Sequence, residues 1–186
     1  MSHQVEDSRP KVFISYSWSS LDHQQWVLDI AKRLTEANVH ALLDIWDLQP
    51  GADAIHFMER MVNDPDVRKV LILADKQYVH RANDREGGVG TETQIISPEL
   101  YGQTDTGKFV LVVSERDEHG KPYLPTYYKS KIYIDLSDES RYADEFEKLL
   151  RWIYDKPADV RPAFGSTPSF LQENSAADLG TAMYAR

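Results

Sequence analysis

One acid follows a run of small residues in an arrangement that chemistry could use. Glu92 ends the stretch Gly87-Gly88-Val89-Gly90-Thr91-Glu92, where Thr91 is placed to cap a helix and Glu-Thr-Gln-Ile-Ile to form its first turns. A carboxylate in a first helical turn feels the positive end of the helix dipole and stays ionised at neutral pH. It therefore suits stabilising a cation better than donating a proton. The plain alternative is an acid that only improves a helix start. Pro98 is expected to bend or end this helix two turns on, because it removes an intrahelical hydrogen bond. A second cluster follows the apolar run that starts at Lys11: Ser15, Tyr16, Ser17 and Trp18, with Asp44 and Trp46 further on. At strand ends, Tyr16, Trp18 and Trp46 could stack a nicotinamide or adenine ring, though ordinary packing of each against the core is the alternative. Together the two clusters point to a sugar-handling pocket.

Other chemistries lack their residues. There is no cysteine, so thiol nucleophiles, disulfides and cysteine-ligated metals are excluded. His23, His40, His56, His80 and His119 show no metal-ligand spacing, and no metal site is expected. Ser15, Ser17, Ser19 and Ser20 lack the G-x-S-x-G context of a hydrolase nucleophile. The glycines before Glu92 miss the G-x-G-x-x-G spacing of a dinucleotide fingerprint. With 30 acidic against 21 basic residues and a net charge of -9, the surface should repel a phosphate backbone, so nucleic acid is not expected as a partner. No apolar run approaches the ~18 residues of a membrane span. The polar start has no signal-peptide core, and a cytoplasmic protein without a membrane partner is expected.

The elements that must hold these residues alternate. Val12 to Ile14, Val39 to Leu43, Val70 to Leu73, Phe109 to Val113 and Ile132 to Leu136 are short and apolar, as in parallel strands covered on both faces. Ser19 or Ser20 should cap a helix carrying Trp26, Ile30, Ala31, Leu34 and Ala37 at helical spacing and ending at Asn38. Further helices are expected over Ile55 to Val62 and from Tyr142 to Ile153, while Lys76 to Gly90 is expected as a long loop. Asp44 to Asp53 is expected as a turn in which Pro50 and Gly51 fix the backbone, and Asp117 to Gly120 as a solvated turn. The order predicts an α/β fold, a flavodoxin-like five-stranded parallel sheet with helices on both faces and ligands at the strands' C-terminal ends. Residues 1–10 are expected as a disordered leader, 11–156 as the domain, and 157–186, with Pro157, Pro162 and Pro168, as a linker or tail toward a further domain.

The segments KVFISYSW, DIWDLQPGAD and RANDREGGVGTETQII, in this order over Lys11 to Lys156, resemble a Toll/interleukin-1 receptor (TIR) domain of the bacterial, SEFIR-like branch. The resemblance implies that Asp44 to Asp53 is the BB loop, with Leu48, Pro50, Gly51 and Asp53 in head-to-tail assembly with other TIR domains. Glu92 would be the catalytic glutamate of the members that cleave NAD+. Ser15, Tyr16, Trp18, Asp44 and Trp46 would line the dinucleotide pocket. NAD+ would be substrate, with no cofactor required. The products would be nicotinamide and ADP-ribose or a cyclic isomer, in an effector of antiphage immunity switched on by oligomerisation and governed by a fused or separate sensor. Several NAD-cleaving members carry a tryptophan four residues before the glutamate, where this chain has Gly88. A non-catalytic interaction domain is the alternative. A nucleoside deoxyribosyltransferase-like enzyme is a third reading, and it leaves the first strand and the BB-loop match unexplained.

Overall fold

Strand β1 shows why five short apolar runs can make one sheet. Along Lys11–Tyr16, Val12, Ile14 and Tyr16 enter one core cluster and Phe13 enters the other, so the run is buried on both faces. The computed structural model describes residues 8–84 and 95–171. The further elements are α1 (Leu21–Glu36), β2 (His40–Leu42), α2 (Asp44–Asp47), α3 (Ala54–Asn63), β3 (Val67–Ala74), α4 (Lys76–Asp84), α5 (Pro98–Gln103), β4 (Phe109–Val113), β5 (Ile134–Asp135) and α6 (Tyr142–Ile153). The strands pair in parallel in the order β2-β1-β3-β4-β5. That is the flavodoxin-like order, in which the chain reverses direction across the sheet between β1 and β3. Residues of α1 and α6 share the Val12 cluster, and those of α3, α4 and α5 share the Phe13 cluster. All five expected strands are present, the last trimmed to two residues, with Ile132 exposed beyond it.

Helix α1 follows its sequence signals closely. The Ser20 side chain accepts the His23 amide at 3.1 Å, and Val27, Ile30, Ala31 and Leu34 form the buried stripe. It ends where Asn38 turns left-handed at φ 62°, with the Val39 amide donating back to Leu34 O at 3.0 Å. Two expectations are corrected. Lys76–Asp84 is the helix α4, because Asp75 caps it and Tyr78 and Ala82, one turn apart, are buried. Pro98 opens a helix rather than ending one. Ser97 caps α5 through the Leu100 amide at 3.1 Å, and proline at the first helical position loses no bond the helix needs. Ile95 and Ile96 are buried but not helical, and the expected turns at 91–94 lie outside the described residues.

Charge ties β5 to α6. Glu145, 3% exposed, accepts the Asp135 amide at 3.1 Å and pairs with Lys148 at 2.6 Å and Arg141 at 3.2 Å, while Asp135 pairs with Arg116. Burial alone would raise both carboxyls. Hydrogen bonds from Ser137 and Arg116 at Asp135, and from Lys148 and the Asp135 amide at Glu145, outweigh it and leave both below their ordinary range. Because the folded values are depressed, this contribution is complete above the unfolded carboxylate range, about 3.9 to 4.3, and is lost as pH falls through the folded values. The urea midpoint should therefore drop below pH ~4, and Glu145→Gln should make that drop shallower. An unchanged acid limb in the variant would remove Glu145 from the cause.

Candidate functional site

Four strands end side by side, and the residues just past those ends build two hollows. Beyond β2, Asp44 is 2% exposed, and its Oδ2 accepts the Trp18 indole N–H at 3.0 Å. That bond joins the segments after β1 and β2 and holds an indole that is 54% exposed. Trp46, on the single turn of α2, is 46% exposed. The turn is closed by Asp47, whose side chain accepts the Leu43 amide at 2.8 Å. The expected BB-loop turn thus starts as helix and becomes loop at Leu48, with Gly51 at φ +87° and nothing near its Cα on the side-chain side. Trp18, Asp44, Leu48, Pro50 and Gly51 line a shallow hollow of about 350 Å³. Asp53 lies at its edge as the cap of α3, accepting the Ile55 and His56 amides at 2.9 and 3.0 Å.

Ser15 and Tyr16 lie deeper and line neither hollow. Ser15 Oγ bonds the Tyr78 hydroxyl at 3.1 Å, and that hydroxyl accepts the Ile96 amide at 3.1 Å. Ile96 O in turn accepts the Tyr127 hydroxyl at 3.2 Å, so tyrosines hold both backbone polar groups of this residue. Tyr16 is 1% exposed, and burial first, then the Asp44 carboxylate, raise its phenol far above the ordinary value. It stays protonated and has no role as a base. Glu92 lies outside the described residues.

The larger hollow, about 810 Å³, opens between the starts of α1 and α4 and the end of β4. Asp75, the first residue past β3, sits at its base and accepts the Ser17 hydroxyl and the Tyr78 amide, each at 2.7 Å. His23 stacks on Trp26 with ring centroids 5.9 Å apart and places Nε2 4.0 Å from Asp75 Oδ2. Burial lowers the His23 pKa, and Asp75 and then Glu115 partly restore it. Glu115, just past β4, accepts the Lys76 amide at 3.0 Å. Sequence reasoning passed over Asp75 and Glu115, and weighed His23 only as a metal ligand. The signal for Asp75 was an acid directly after a predicted strand at the reversal point of the sheet. Among the described residues no group of His, Asp and Glu is arranged to hold a metal ion.

The sequence and the fold are similar to those of known proteins. A family model described as TIR domain matches residues 12–150. The crystal structure of a prokaryotic SEFIR domain is 39% identical, with a TM-score of 0.71, over 84% of this chain and 99% of that one. The TIR domain of the Toll-related receptor TRR-2 from Hydra magnipapillata shares the fold at 15% identity and a TM-score of 0.54, over 77% of this chain and 97% of that one. No protein of curated function matches the sequence.

Proposed function

Since this chain belongs to the TIR domain family, on its prokaryotic SEFIR-like side, we propose that it is an NAD+ glycohydrolase acting at the C-terminal ends of β1 and β2. The observation that carries this reading is the pair of exposed tryptophans beside a buried acid. Trp18 is pinned to Asp44 at 3.0 Å, and Trp46 stands on the same helical turn as Asp44. Large aromatic faces left in water at the mouth of a sheet are suited to a flat heterocycle. In the reaction, the bond between ribose C1 and the nicotinamide nitrogen breaks and its electron pair stays with the ring, which leaves neutral. Water adds to the ribosyl cation and releases a proton, giving ADP-ribose, or a nucleophile within the same molecule closes a cyclic isomer. No general acid is needed, because the leaving group is already cationic in the substrate. In this reading Glu92 supplies the carboxylate that stabilises the developing charge.

No helix among the described residues is long and apolar enough to cross a membrane. A cytoplasmic effector of antiphage immunity, assembled head to tail with other TIR domains under a sensor, completes the reading. The second reading, a non-catalytic interaction domain, draws support from the 39% identical SEFIR domain and from the same tryptophans, which suit a protein contact equally well.

Nicotinamide release from NAD+, measured by chromatography over a wide range of protein concentration, separates the two. The enzyme reading expects release that rises faster than linearly with concentration. No release at any concentration, with crowding agent present, would favour the interaction domain. The BB loop gives a second test. Gly51 holds a left-handed conformation that a side chain strains by about 1 kcal/mol. Replacing Pro50 and Gly51 together should lower both release at fixed concentration and the sedimentation coefficient at high concentration. If neither changes, the loop has no part in assembly.

A further inference from the structure

The crevice between α1 and α4 shares no lining residue with the hollow at the BB loop, and its composition is that of a ligand site. We propose that it is a second binding site, distinct from the BB-loop hollow, for a ligand of nucleoside monophosphate type: a flat ring, a ribose and one phosphate. Its place is the first argument. The connection after β1 leads to β2 and that after β3 leads to β4, so the two depart to opposite sides and leave a gap above the sheet where ligands bind in doubly wound folds. At about 810 Å³ the gap has the size of a small-molecule site.

Its walls supply each part of the ligand with a partner. Trp26 lines the crevice and already carries His23 in a stack 18° from parallel, a wall that a flat ring would extend. At the floor, the His23 side chain is 10% exposed, and its Nε2 has no hydrogen-bond partner among the described residues. Asp75 Oδ2 stands 4.0 Å away, too far for a direct bond. One hydroxyl within reach of both would accept from the imidazole and donate to the carboxylate, as a ribose hydroxyl can and a methylene cannot.

The charges decide the remaining group. Three acids line the crevice and keep their charge, Asp84 beside His80 Nδ1 at 2.6 Å, Glu115 accepting the Lys76 amide, and Asp75 Oδ1 accepting from Ser17 and Tyr78, and the cations Lys76 and Arg81 line it with them. Lys76, exposed at the first position of the nine-residue α4, makes no ion pair among the described residues. An ammonium at the positive end of a helix favours an anion. The three neighbouring acids favour one phosphate over a polyphosphate.

The test is a two-dimensional NMR titration of the whole chain with AMP, adenosine and inorganic phosphate. AMP should shift the Trp26 indole N–H and the amides of Ser20 and Lys76 to saturation. Lys76→Ala, an exposed change compatible with folding, should weaken AMP about tenfold and leave adenosine binding as it was. Three results would overturn the site: no saturable shift with AMP at about 10 mM, AMP shifts confined to Trp18 and Trp46, or equal AMP affinity in Lys76→Ala. Inorganic phosphate binding as tightly as AMP would overturn the ring and ribose part. A chain that releases no nicotinamide but binds AMP here would lose the proposed catalytic function and keep this site.

Discussion

Replacing Glu92 by Gln should reduce nicotinamide release about a thousandfold while leaving the fold and the KM for NAD+ nearly unchanged. The size follows from Coulomb's law. A carboxylate ~4 Å from the developing ribosyl charge, at an effective dielectric constant near 20, contributes about 4 kcal/mol, and about 1.4 kcal/mol is a factor of ten in rate. The ground state holds its positive charge on the nicotinamide ring, and the transition state moves it onto the ribose. The interaction therefore strengthens as the bond breaks, which places the loss in kcat and not in KM. Glutamine keeps the shape and the hydrogen-bonding oxygen, so the variant isolates the charge. Initial rates at saturating NAD+, with a thermal midpoint equal to that of the parent, check the prediction. A folded Glu92→Gln protein with parental turnover would end the assignment of Glu92 and leave any cleavage to be explained by another acid.

How much of this was legible in the sequence depends on how locally each feature is encoded. Strands buried on both faces leave continuous apolar runs, so β1, β3 and β4 declare themselves, and their alternation with helical stripes yields the sheet order. Helix α1 carries its own cap, stripe and stop within one segment. Helix α4 carries almost none of these. Its first-turn acceptor is Asp75, the residue just past β3, only Tyr78 and Ala82 are fully buried along its nine residues, and apart from Val79 the rest is polar. Pro98 was weighed as a breaker because the cap at Ser97 was not weighed with it. The site is less local still. The types of Trp18 and Asp44 suggested a pocket, but the bond between them exists only because β1 and β2 pair in parallel, with Leu42 opposite Phe13. Ser15 and Tyr16 were grouped with the pocket by sequence, yet consecutive strand residues face opposite sides. One meets Tyr78 in the Phe13 layer, and the other packs in the Val12 layer. Which surface a strand-end residue faces depends on the helices that cover it, and that is a tertiary property.

Asp75 shows what such a tertiary residue does for stability, and it carries the largest expected cost of a single change among the described residues at the strand ends. Asp75→Ala should lower the unfolding free energy by about 3 kcal/mol. The residue is 5% exposed, and one oxygen receives both the Ser17 hydroxyl and the Tyr78 amide at 2.7 Å. Truncation leaves Ser17, 1% exposed, and the amide of fully buried Tyr78 without that acceptor. A buried donor deprived of its partner costs about 1 to 3 kcal/mol, and the lost cap on α4 falls within the same sum. The gain from no longer burying a carboxylate works in the opposite direction and keeps the total below twice that figure. Asp75→Asn retains an acceptor for both donors and should cost less than half as much. The two variants also part company at His23, where Asp75 raises the imidazole pKa against the effect of burial. Removing the charge in either variant should lower that pKa further, whereas only Asp75→Ala should bring the full loss of stability. Urea unfolding at neutral pH, read beside the NMR titration of His23, separates the two contributions. A loss below about 1 kcal/mol in Asp75→Ala, with the His23 titration shifted as expected, would mean that the charge is felt but that Ser17 and the Tyr78 amide find other partners. The geometric claim that Asp75 joins β1 to α4 would then be wrong.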